Sequence, residues 1–466
     1  MQPTHLSYDK GTILIRGEAK VPYSSWDDRV RAFRAQALYY REIVDFLNRS
    51  ELSSIKDDVE DLPPCPSLKC RSISMRAYQK KALDSWDRAG RRGVIVLPTG
   101  AGKTVIGIKA MELVNKPTIV IVPTLDLLEQ WRRRVQDELS IDVGAYGGGE
   151  NTIGAVTICT YDSAYIRAAE LGNRFSFIIF DEVHHLPAES FRQIAEMFTA
   201  PYRMGLTATY EREDMLHLEL PRLIGGVAYR LGPEELAGRY LSNYILEKVN
   251  VELTKEEKEE YERNYRVFTD YLESSGIWLR SPLDFQRFIM RTSRDPLARQ
   301  ALLARNRAID IAFNSKAKMD RLEEILRSNP DDRILIFTQH NELVYRISRR
   351  FLLPFITHTT AKEERYDVLR GFREGRFRAI ATSKVLDEGI DVPEASIGVI
   401  VSGTGSSREF IQRLGRLLRK SEGKGQARLI ELVSRQTSET RTSSRRKRDA
   451  WVGGWEGRGE GEGGRR

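Results

Sequence analysis

The sequence predicts an α/β protein with doubly wound parallel sheets, and three observations support that fold class. Short apolar runs recur along the chain and end in polar residues, as expected of strands that helices cover on both faces. Stretches with a helical spacing of apolar residues separate these runs, which is typical of a parallel sheet with crossover helices. The chain has 466 residues, too many for one hydrophobic core, so we expect at least two such domains.

The elements follow in chain order. A strand at 12–15 and an amphipathic helix at 26–47 predict a small N-terminal module, and the proline-rich stretch 62–67 is typical of a linker. Beyond the linker, apolar strands alternate with helices. The predicted strands lie at 93–97, 118–122, 156–160 and 175–180, and the predicted helices lie at 105–114 and 127–138. Ligands bind at the carboxyl ends of such strands, so the residues after each strand are the functional candidates.

Composition narrows the class of protein. Hydrophobic residues make up 41% and charged residues 30% of the chain, which is typical of a globular protein. We expect neither a membrane span nor a signal peptide, because no apolar run is long enough and the first residues lack the signal pattern. Three cysteines favour a reducing compartment, and Cys65 and Cys70 lack the second ligand pair of a zinc site. The net charge of +8 fits a polyanionic partner but is weak evidence by itself.

A glycine-rich octet, LPTGAGKT, lies between a predicted strand and a predicted helix. Its glycines let backbone N–H groups turn towards phosphate oxygens, its lysine supplies a positive charge, and its threonine hydroxyl can reach Mg²⁺. The octet departs from the general pattern at its first position, where leucine replaces glycine. The phosphate-binding candidates are Leu97, Pro98, Thr99, Gly100, Ala101, Gly102, Lys103 and Thr104.

Two further positions extend this site. The residues Arg76 and Gln79 precede the octet in the sequence RAYQ, and a glutamine amide can both donate to and accept from an adenine edge. The acidic pair Asp181 and Glu182 follows the predicted strand at 175–180. Asp181 can hold the Mg²⁺ that Thr104 also contacts, while Glu182 can deprotonate the attacking water. A pair of helix-capping carboxylates is the alternative for the acidic residues. ATP and Mg²⁺ are therefore the predicted ligands.

These segments, with four more, resemble the superfamily 2 helicases. The match extends over roughly 72–433, in the order and spacing of the family. The motifs are LPTGAGKT (motif I), DEVH at 181–184 (II), MGLTAT at 204–209 (III), ILIFTQH at 334–340 (IV), ATSKVLDEGIDVP at 381–393 (V) and FIQRLGRLLR at 410–419 (VI). The resemblance implies two RecA-like lobes, the first of which binds ATP.

The resemblance also implies how hydrolysis is triggered. A second lobe supplies positive charge to the transition state, and Arg416 and Arg419 are the candidates because they lie one turn apart on one face of a predicted helix. Gln412, another turn back, shares that face and completes the candidate set. A solvated basic helix is the alternative. Threonines at strand ends, Thr124, Thr160 and Thr382, fit contacts to nucleic-acid phosphates or simple helix caps. His184 is expected to link motif II to motif III, and His185 to be structural.

Two features narrow the resemblance to the XPB/Ssl2 helicases. The residues Arg212, Glu213 and Asp214 resemble the RED motif of that family, a mixed-charge loop placed to wedge at a duplex junction; a surface ion-pair loop is the alternative. A charged, arginine-rich and aromatic insertion at 254–310 resembles the family's DNA-gripping thumb, with a plain helical hairpin as the alternative. The expected domains are a damage-recognition-like module (1–70), lobe 1 (71–237), lobe 2 with the insertion (238–434) and a polar, disordered tail (435–466).

The function implied by the resemblance is that of an ATP-dependent 3′–5′ DNA helicase of the archaeal or bacterial XPB type, acting in nucleotide excision repair or transcription. Its expected partners are DNA and either a repair nuclease or transcription and repair proteins, and we expect a monomer in the prokaryotic cytosol. Three alternatives remain open. The chain could be a double-strand DNA translocase that does not separate strands, an RNA helicase, or a binding module with an inactive ATPase; the last would normally lack a catalytic residue, and here none is missing.

Overall fold

The computed structural model describes residues 4–17, 21–50, 55–212, 214–236, 244–383, 395–402 and 426–440. The chain passes from one structural unit to the next between Leu236 and Ala237. Within the described residues, no helix is both long and apolar enough to cross a bilayer. The same residues contain no cluster of histidine, cysteine and acidic side chains suited to a metal ion, and the three cysteines are free thiols.

The first unit begins with a small α/β module. Its elements are β1 (Thr4–Asp9), β2 (Thr12–Arg16), β3 (Ser24–Asp27), β4 (Ala32–Gln36), α1 (Tyr40–Arg49) and β5 (Ile55–Asp58). The strands form one sheet in the order β3-β4-β2-β1-β5. Alternating side chains of β1 and β2 bury Leu6, Ile13 and Ile15 against Ile43 and Leu47 of α1.

The predicted helix at 26–47 is wrong over its first half. Residues 24–36 form a β-hairpin in which Trp26 pairs with Phe33, and their rings meet edge to face at 5.2 Å between centroids. Such a cross-strand aromatic pair stabilises the hairpin. Arg31 adopts a positive φ of 49° at the turn, and a 3₁₀ turn at Ala37–Tyr39 leads into the α-helix that begins at Tyr40. The predicted strand at 12–15 is confirmed.

The remainder of the first unit is a doubly wound lobe. Its strands are β6 (Arg92–Val96), β7 (Thr118–Val122), β8 (Val143–Gly147), β9 (Glu150–Asn151), β10 (Val156–Thr160), β11 (Phe177–Asp181), β12 (Tyr202–Thr207) and β13 (Val227–Arg230). Its helices are α2 (Ala77–Arg88), α3 (Lys103–Val114), α4 (Leu125–Leu139), α5 (Tyr161–Ile166), α6 (Ala168–Leu171), α7 (Arg192–Met197), α8 (Leu220–Leu223) and α9 (Pro233–Leu236).

These strands form one sheet in the order β13-β6-β12-β11-β7-β10-β8-β9. Every pairing in it is parallel except that of β8 with β9. The central strands β7, β10 and β11 are buried along their whole length, as their continuous apolar sequences predict. The parallel order brings the ends of β6 and β11, which precede the glycine-rich octet and the acidic pair, to the same edge of the sheet.

A buried arginine stabilises the same lobe. Arg203 has no exposed surface, and its guanidinium donates to four carbonyls, those of Ala195, Phe198, Ala200 and Leu223, at 2.6–3.0 Å. Two of these carbonyls belong to α7 and α8, whose last carbonyls lack intrahelical partners. Burial lowers the pKa of the Arg203 guanidinium, and the four acceptors compensate for its lost hydration.

The second unit contains another parallel sheet and a helical insertion. Its strands are β14 (Tyr244–Val251), β15 (Ile334–Phe337), β16 (Phe355–Ile356), β17 (Ala379–Thr382), β18 (Ile397–Ile400) and β19 (Ala427–Ser434), in the order β14-β19-β18-β15-β17-β16. Its helices are α10 (Lys255–Ser274), α11 (Pro282–Arg291), α12 (Pro296–Phe313), α13 (Lys316–Ser328), α14 (Asn341–Phe351) and α15 (Lys362–Arg373). The insertion expected at 254–310 corresponds to α10, α11 and most of α12.

A buried ion pair anchors two distant parts of the second unit. Lys318 has no exposed surface, and its ammonium lies 2.7 Å from both carboxylate oxygens of Glu439. The same ammonium donates to the carbonyl of Val401 at 2.8 Å. Lys318 therefore holds the chain just after β18 together with the segment that follows β19.

The predicted fold class is confirmed. The predicted strands at 118–122 and 156–160 match β7 and β10, and those at 93–97 and 175–180 overlap β6 and β11 with shifts of one or two residues. The stretch 62–67 contains no helix or strand, as a linker should. The tail expected to be disordered from residue 435 onward is ordered over 435–440, where Glu439 is buried and pairs with Lys318. The remainder of that tail, 441–466, lies outside the described residues.

Candidate active site

The glycine-rich octet forms a tight turn between β6 and α3. Gly100 and Gly102 have positive φ angles of 82° and 78°, which side chains rarely adopt. A Cβ at Gly102 would lie 2.5 Å from Nε2 of Gln79, so that position also lacks space for a side chain. The turn leads directly into α3 at Lys103. The first backbone N–H groups of that helix have no intrahelical acceptors and are a ready site for an anion.

Two side chains of α2 hold the turn from behind. The hydroxyl of Tyr78 and the amide Nε2 of Gln79 both donate to the carbonyl of Ala101, at 2.6 and 2.9 Å. The amide oxygen of Gln79 accepts the backbone N–H of Arg76 at 2.8 Å. Gln79 is buried and bonds the turn through its amide nitrogen and Arg76 through its amide oxygen, yet each end keeps one further hydrogen-bonding position. Its adenine contact stays a prediction.

Lys103 and Thr99 of the turn form few contacts with the part of the chain that the structure describes. The ammonium of Lys103 lies 3.3 Å from the carbonyl of Leu97, folded back over the turn. The hydroxyl of Thr99 is buried and makes no hydrogen bond among the described residues. Thr104 occupies the second position of α3, beside Lys103. The turn thus presents donors that an anionic ligand can satisfy.

The carboxylate of Asp181 is buried at the end of β11. Its two oxygens accept from the indole Nε1 of Trp131 at 2.8 Å and from the backbone N–H of Glu182 at 3.0 Å. Burial, followed by the charge of Glu182, raises the pKa of Asp181 to about 6, and the Lys103 ammonium and the Trp131 hydrogen bond oppose the rise. A divalent cation would favour the ionised carboxylate, so the position suits a metal ligand.

Trp131 carries no motif in the sequence. It lies on α4, is 1% exposed, and packs so closely on α3 that a Cβ at Gly107 would lie 2.6 Å from its ring. Tyr161 is a second supporting residue, since its hydroxyl donates to the carbonyl of Asp181 at 3.2 Å. A single tryptophan on an amphipathic helix is normally a core residue, so no sequence signal distinguishes its indole N–H as a partner of Asp181.

A chain of contacts leads from the acidic pair to motif III. Glu182 has a positive φ of 48°, and its carboxylate lies 3.4 Å from Nδ1 of His184. The same nitrogen lies 3.0 Å from the hydroxyl of Thr207. Because that hydroxyl donates to the carbonyl of Thr209 at 2.8 Å, Nδ1 of His184 carries the proton and donates to it. This is the link between motifs II and III that the sequence predicted for His184. His185 packs its ring against those of Tyr161 and His184, as a structural residue would.

The loop after motif III returns to motif II. Arg212 forms a bidentate ion pair with Asp214, at 2.9 and 2.6 Å, and also donates to the carbonyl of His184. The pair with Arg212 lowers the pKa of Asp214 to about 2. Arg212 therefore braces the loop against the segment that follows the acidic pair. Glu213, the third residue of the predicted motif, lies outside the described residues.

The strand-end threonines make local contacts. Thr124 and Thr160 cap α4 and α5, since their hydroxyls accept the N–H groups of Leu127 and Ser163 at 3.3 Å. Thr382 has no exposed surface and its hydroxyl donates to the carbonyl of Ser383, so the structure gives the expected phosphate contact no support there. Gln412, Arg416 and Arg419, with most of motif V, lie outside the described residues.

Three family models match the chain. They are the damage recognition domain of the xeroderma pigmentosum group B helicase at residues 6–59, the res subunit of type III restriction enzymes at 72–212, and the ERCC3/RAD25/XPB C-terminal helicase at 314–453. The second match contains the glycine-rich turn, the acidic pair and motif III. The third contains Gln412, Arg416 and Arg419.

A relative from Sulfurisphaera tokodaii, named DNA 3'-5' translocase XPB2, is 43% identical over 443 residues, which are 95% of this chain and 99% of the relative. The chain belongs to the XPB helicase family. The DNA 3'-5' helicase XPB of Mycobacterium tuberculosis is 30% identical to this XPB-family chain. The match covers 82% of the chain and 64% of the relative. The helicase domain of Hef from Pyrococcus furiosus superimposes with a TM-score of 0.53 at 19% identity, covering 79% of this chain and 97% of that one. That likeness shows the two-lobe helicase fold of the XPB-family chain.

Proposed function

We propose that this chain is an ATP-dependent 3′–5′ DNA helicase. The observation that carries the proposal is the continuous set of contacts from Asp181 and Glu182, through His184, to Thr207 and Arg212. Such a chain gives a nucleotide-dependent change at the acidic pair a direct route to the loop after motif III. The names of the archaeal and mycobacterial relatives, which describe 3'-5' translocation and unwinding of DNA, supply the polarity and the substrate class.

We assign separate roles to residues of the turn, to Glu182 and to the residues of motif VI. Gly100, Gly102 and the start of α3 direct N–H groups at the phosphates, and Lys103 neutralises the outermost ones. Glu182 accepts a proton from the attacking water. Arg416 and Arg419 supply positive charge to the transition state, and Gln412 acts beside them as an uncharged hydrogen-bonding group. Arg76 and Gln79 contact the adenine ring.

The residues present fit a magnesium ion. Asp181 offers a buried carboxylate with a second lone pair on each oxygen, and Thr104 offers a hydroxyl at the start of α3. When bound, Mg²⁺ neutralises charge on the β- and γ-phosphates. Asp181 and Thr104 would hold it, with Trp131 and the Glu182 N–H fixing the orientation of the Asp181 carboxylate.

Replacing Trp131 by phenylalanine should raise the Mg²⁺ concentration required for half-maximal ATPase by roughly tenfold, because partners that orient metal ligands typically contribute that much. The ring that packs on Gly107 remains, and only the N–H donor to Asp181 is lost. Magnesium titrations of the initial ATPase rate measure the effect.

Trp86→Phe is the matched control. Trp86 is also fully buried, and its Nε1 donates to the carbonyl of Arg203 at 2.9 Å, away from the acidic pair. Both variants should lose stability, since each leaves a buried acceptor without its donor. Only Trp131→Phe should change the Mg²⁺ requirement; equal requirements in the two variants would assign Trp131 to packing alone.

A second candidate function is ATP-driven translocation on duplex DNA without strand separation. The observation in its favour is the name of the S. tokodaii relative, a translocase, which this chain matches over nearly its full length. Within either function the proposed partners are DNA and repair or transcription proteins, and the proposed form is a monomer of the prokaryotic cytosol. Thr124 and Thr160 would contact DNA phosphates, whereas the buried Thr382 is left out of this proposed contact.

Strand displacement from duplexes with a 3′ tail, a 5′ tail or blunt ends tests the proposal, with ATPase rates measured in parallel. A 3′–5′ helicase should displace the strand only from the 3′-tailed duplex and only with ATP. A triplex-forming third strand on a blunt duplex supplies the other readout. Displacement of that third strand, together with an intact duplex on every tailed substrate, would exclude the helicase and establish the translocase.

A further inference from the structure

Three large apolar side chains are exposed directly after the Arg212–Asp214 ion pair. Met215, Leu216 and Leu218 expose 56%, 38% and 65% of their surface, and we call these three residues the apolar tip. His217, which lies between them, points inward: it is buried, accepts the backbone N–H of Arg212 at 3.1 Å, and meets the ring of Tyr210 edge to face. One buried residue thus anchors the segment while its neighbours project into solvent.

The backbone of the apolar tip is held in a costly conformation. Met215 has a φ of 61°, in the left-handed region that side chains other than glycine, asparagine and aspartate seldom occupy. Three hydrogen bonds hold it there. The N–H of Met215 donates to the carbonyl of Arg212 at 3.2 Å, that of Leu216 to the carboxylate of Asp214 at 3.2 Å, and that of Leu218 to the carbonyl of Met215 at 3.1 Å. A locally strained and over-determined loop is a recurrent feature of functional sites.

The charged residues around the apolar tip already form ion pairs and hydrogen bonds within the lobe. Arg212 bonds Asp214 and the carbonyl of His184, and Glu211 pairs with Arg230 at 2.7 Å. Paired side chains of this kind are poorly placed to hold DNA phosphates, for which a free positive charge is needed. The Arg212–Asp214 pair instead makes the apolar tip rigid and ties it to the segment that follows Asp181 and Glu182.

We propose that the apolar tip is the surface that separates the strands, by packing against the terminal base pair of the duplex, and that the Arg212–Asp214 pair is its brace. The inference deepens the proposed helicase function and rests on it. Apolar side chains such as methionine and leucine are those that proteins insert between base steps to unstack them. A base pair at a junction exposes one apolar face, which matches the chemistry of the apolar tip better than that of the charged pair.

The test is a triple variant, Met215→Asn with Leu216→Ser and Leu218→Ser. Asparagine tolerates the left-handed backbone of position 215, and the exposure of all three side chains keeps the substitutions out of the core. The duplex opened per ATP hydrolysed on a 3′-tailed substrate should fall about tenfold, the effect of losing contacts with a stacked base. The fluorescence increase of 2-aminopurine at the junction, which reports unstacking, should be lost with it, at an unchanged melting temperature.

Two controls are matched to the triple variant. Tyr165→Ser with Ile166→Ser removes another adjacent pair of exposed apolar side chains from the same lobe and should leave the opening per ATP unchanged. Asp214→Asn removes the negative charge of the brace but keeps an acceptor for Arg212, so it should reduce opening far less than the triple variant. A larger loss from Asp214→Asn would make the charged pair the wedge and overturn the inference.

The remaining outcomes are also decisive. If the wild-type chain opens no duplex, the proposed helicase function fails, and the inference fails with it. If the wild type opens the duplex and the triple variant does so equally well, only the inference is overturned; loss of binding to another protein in that variant would then make the apolar tip a protein-docking surface. A lower melting temperature with parallel losses of ATPase and opening would make it a structural element.

Discussion

Replacing Lys103 by alanine should reduce ATP turnover by roughly 10²–10³-fold or more, the scale of removing one preorganised electrostatic group from a transition state. Lys103 is the only basic residue of the glycine-rich octet, and its ammonium lies over the turn at 3.3 Å from the Leu97 carbonyl. Its removal leaves the outer phosphates without a neutralising charge on this side. Steady-state release of inorganic phosphate, with and without DNA, measures the loss.

Lys109→Ala is the control for this prediction. Lys109 lies on the same helix, α3, and pairs with Glu112 on the surface away from the turn. Replacing Lys109 removes one surface ion pair, so ATP turnover should stay nearly unchanged. Comparable turnover in the two variants would contradict the placement of Lys103 at the phosphates.

Replacing Glu182 by glutamine should slow ATP hydrolysis by roughly 10²–10⁴-fold, the usual contribution of a general base. The amide has nearly the same shape but cannot take a proton from water. Binding of ATP should persist, because the turn and the Asp181 carboxylate are unchanged. The variant should therefore accumulate as an ATP-bound complex, which a fluorescent ATP analogue measures at equilibrium while phosphate release is followed separately.

Glu170→Gln provides the matched change of charge on the same lobe. Its carboxylate is exposed and pairs with Arg167 three residues away, so hydrolysis should be unaffected. Near-normal hydrolysis by Glu182→Gln would show that another group activates the water. Weak ATP binding would instead indicate that the contact between Glu182 and His184 maintains the site.

Much of the first lobe was predictable because its strands are apolar on both faces. Runs such as 118–122 and 156–160 have no alternative to burial in a parallel sheet, and the polar residues that follow them must then gather at one edge. The glycine-rich turn and the acidic pair are predictable in this way, because each directly follows an apolar strand in the sequence.

The N-terminal module shows where the same reasoning fails. The apolar residues between 26 and 47 recur at intervals of three or four, yet Trp26 and Phe33 face each other across a hairpin. The turn depends on a positive φ at Arg31, a residue type that does not signal one. Cross-strand packing decided the outcome, and packing between distant residues is not encoded in local periodicity.

The functional details missed from the sequence share a physical origin. Trp131 contributes through one N–H that the fold brings to Asp181, 50 positions later in the chain. For Arg212, Glu213 and Asp214 the sequence leaves a wedge and a surface ion-pair loop open, and it does not show that Arg212 bonds Asp214 and the carbonyl of His184. Residue type alone does not reveal which polar groups already have hydrogen-bond partners within the protein.

The contacts of Lys318 have a consequence for the polymer physics of the second unit. By bonding both Val401 and Glu439, Lys318 closes a loop of the chain that contains β19. The entropy lost on closing a loop grows with the logarithm of its length, and here that cost is met once, when the unit folds. Removing the Lys318 ammonium would release both ends of the loop at once, so we expect the end of β18 and the segment after β19 to lose their order together.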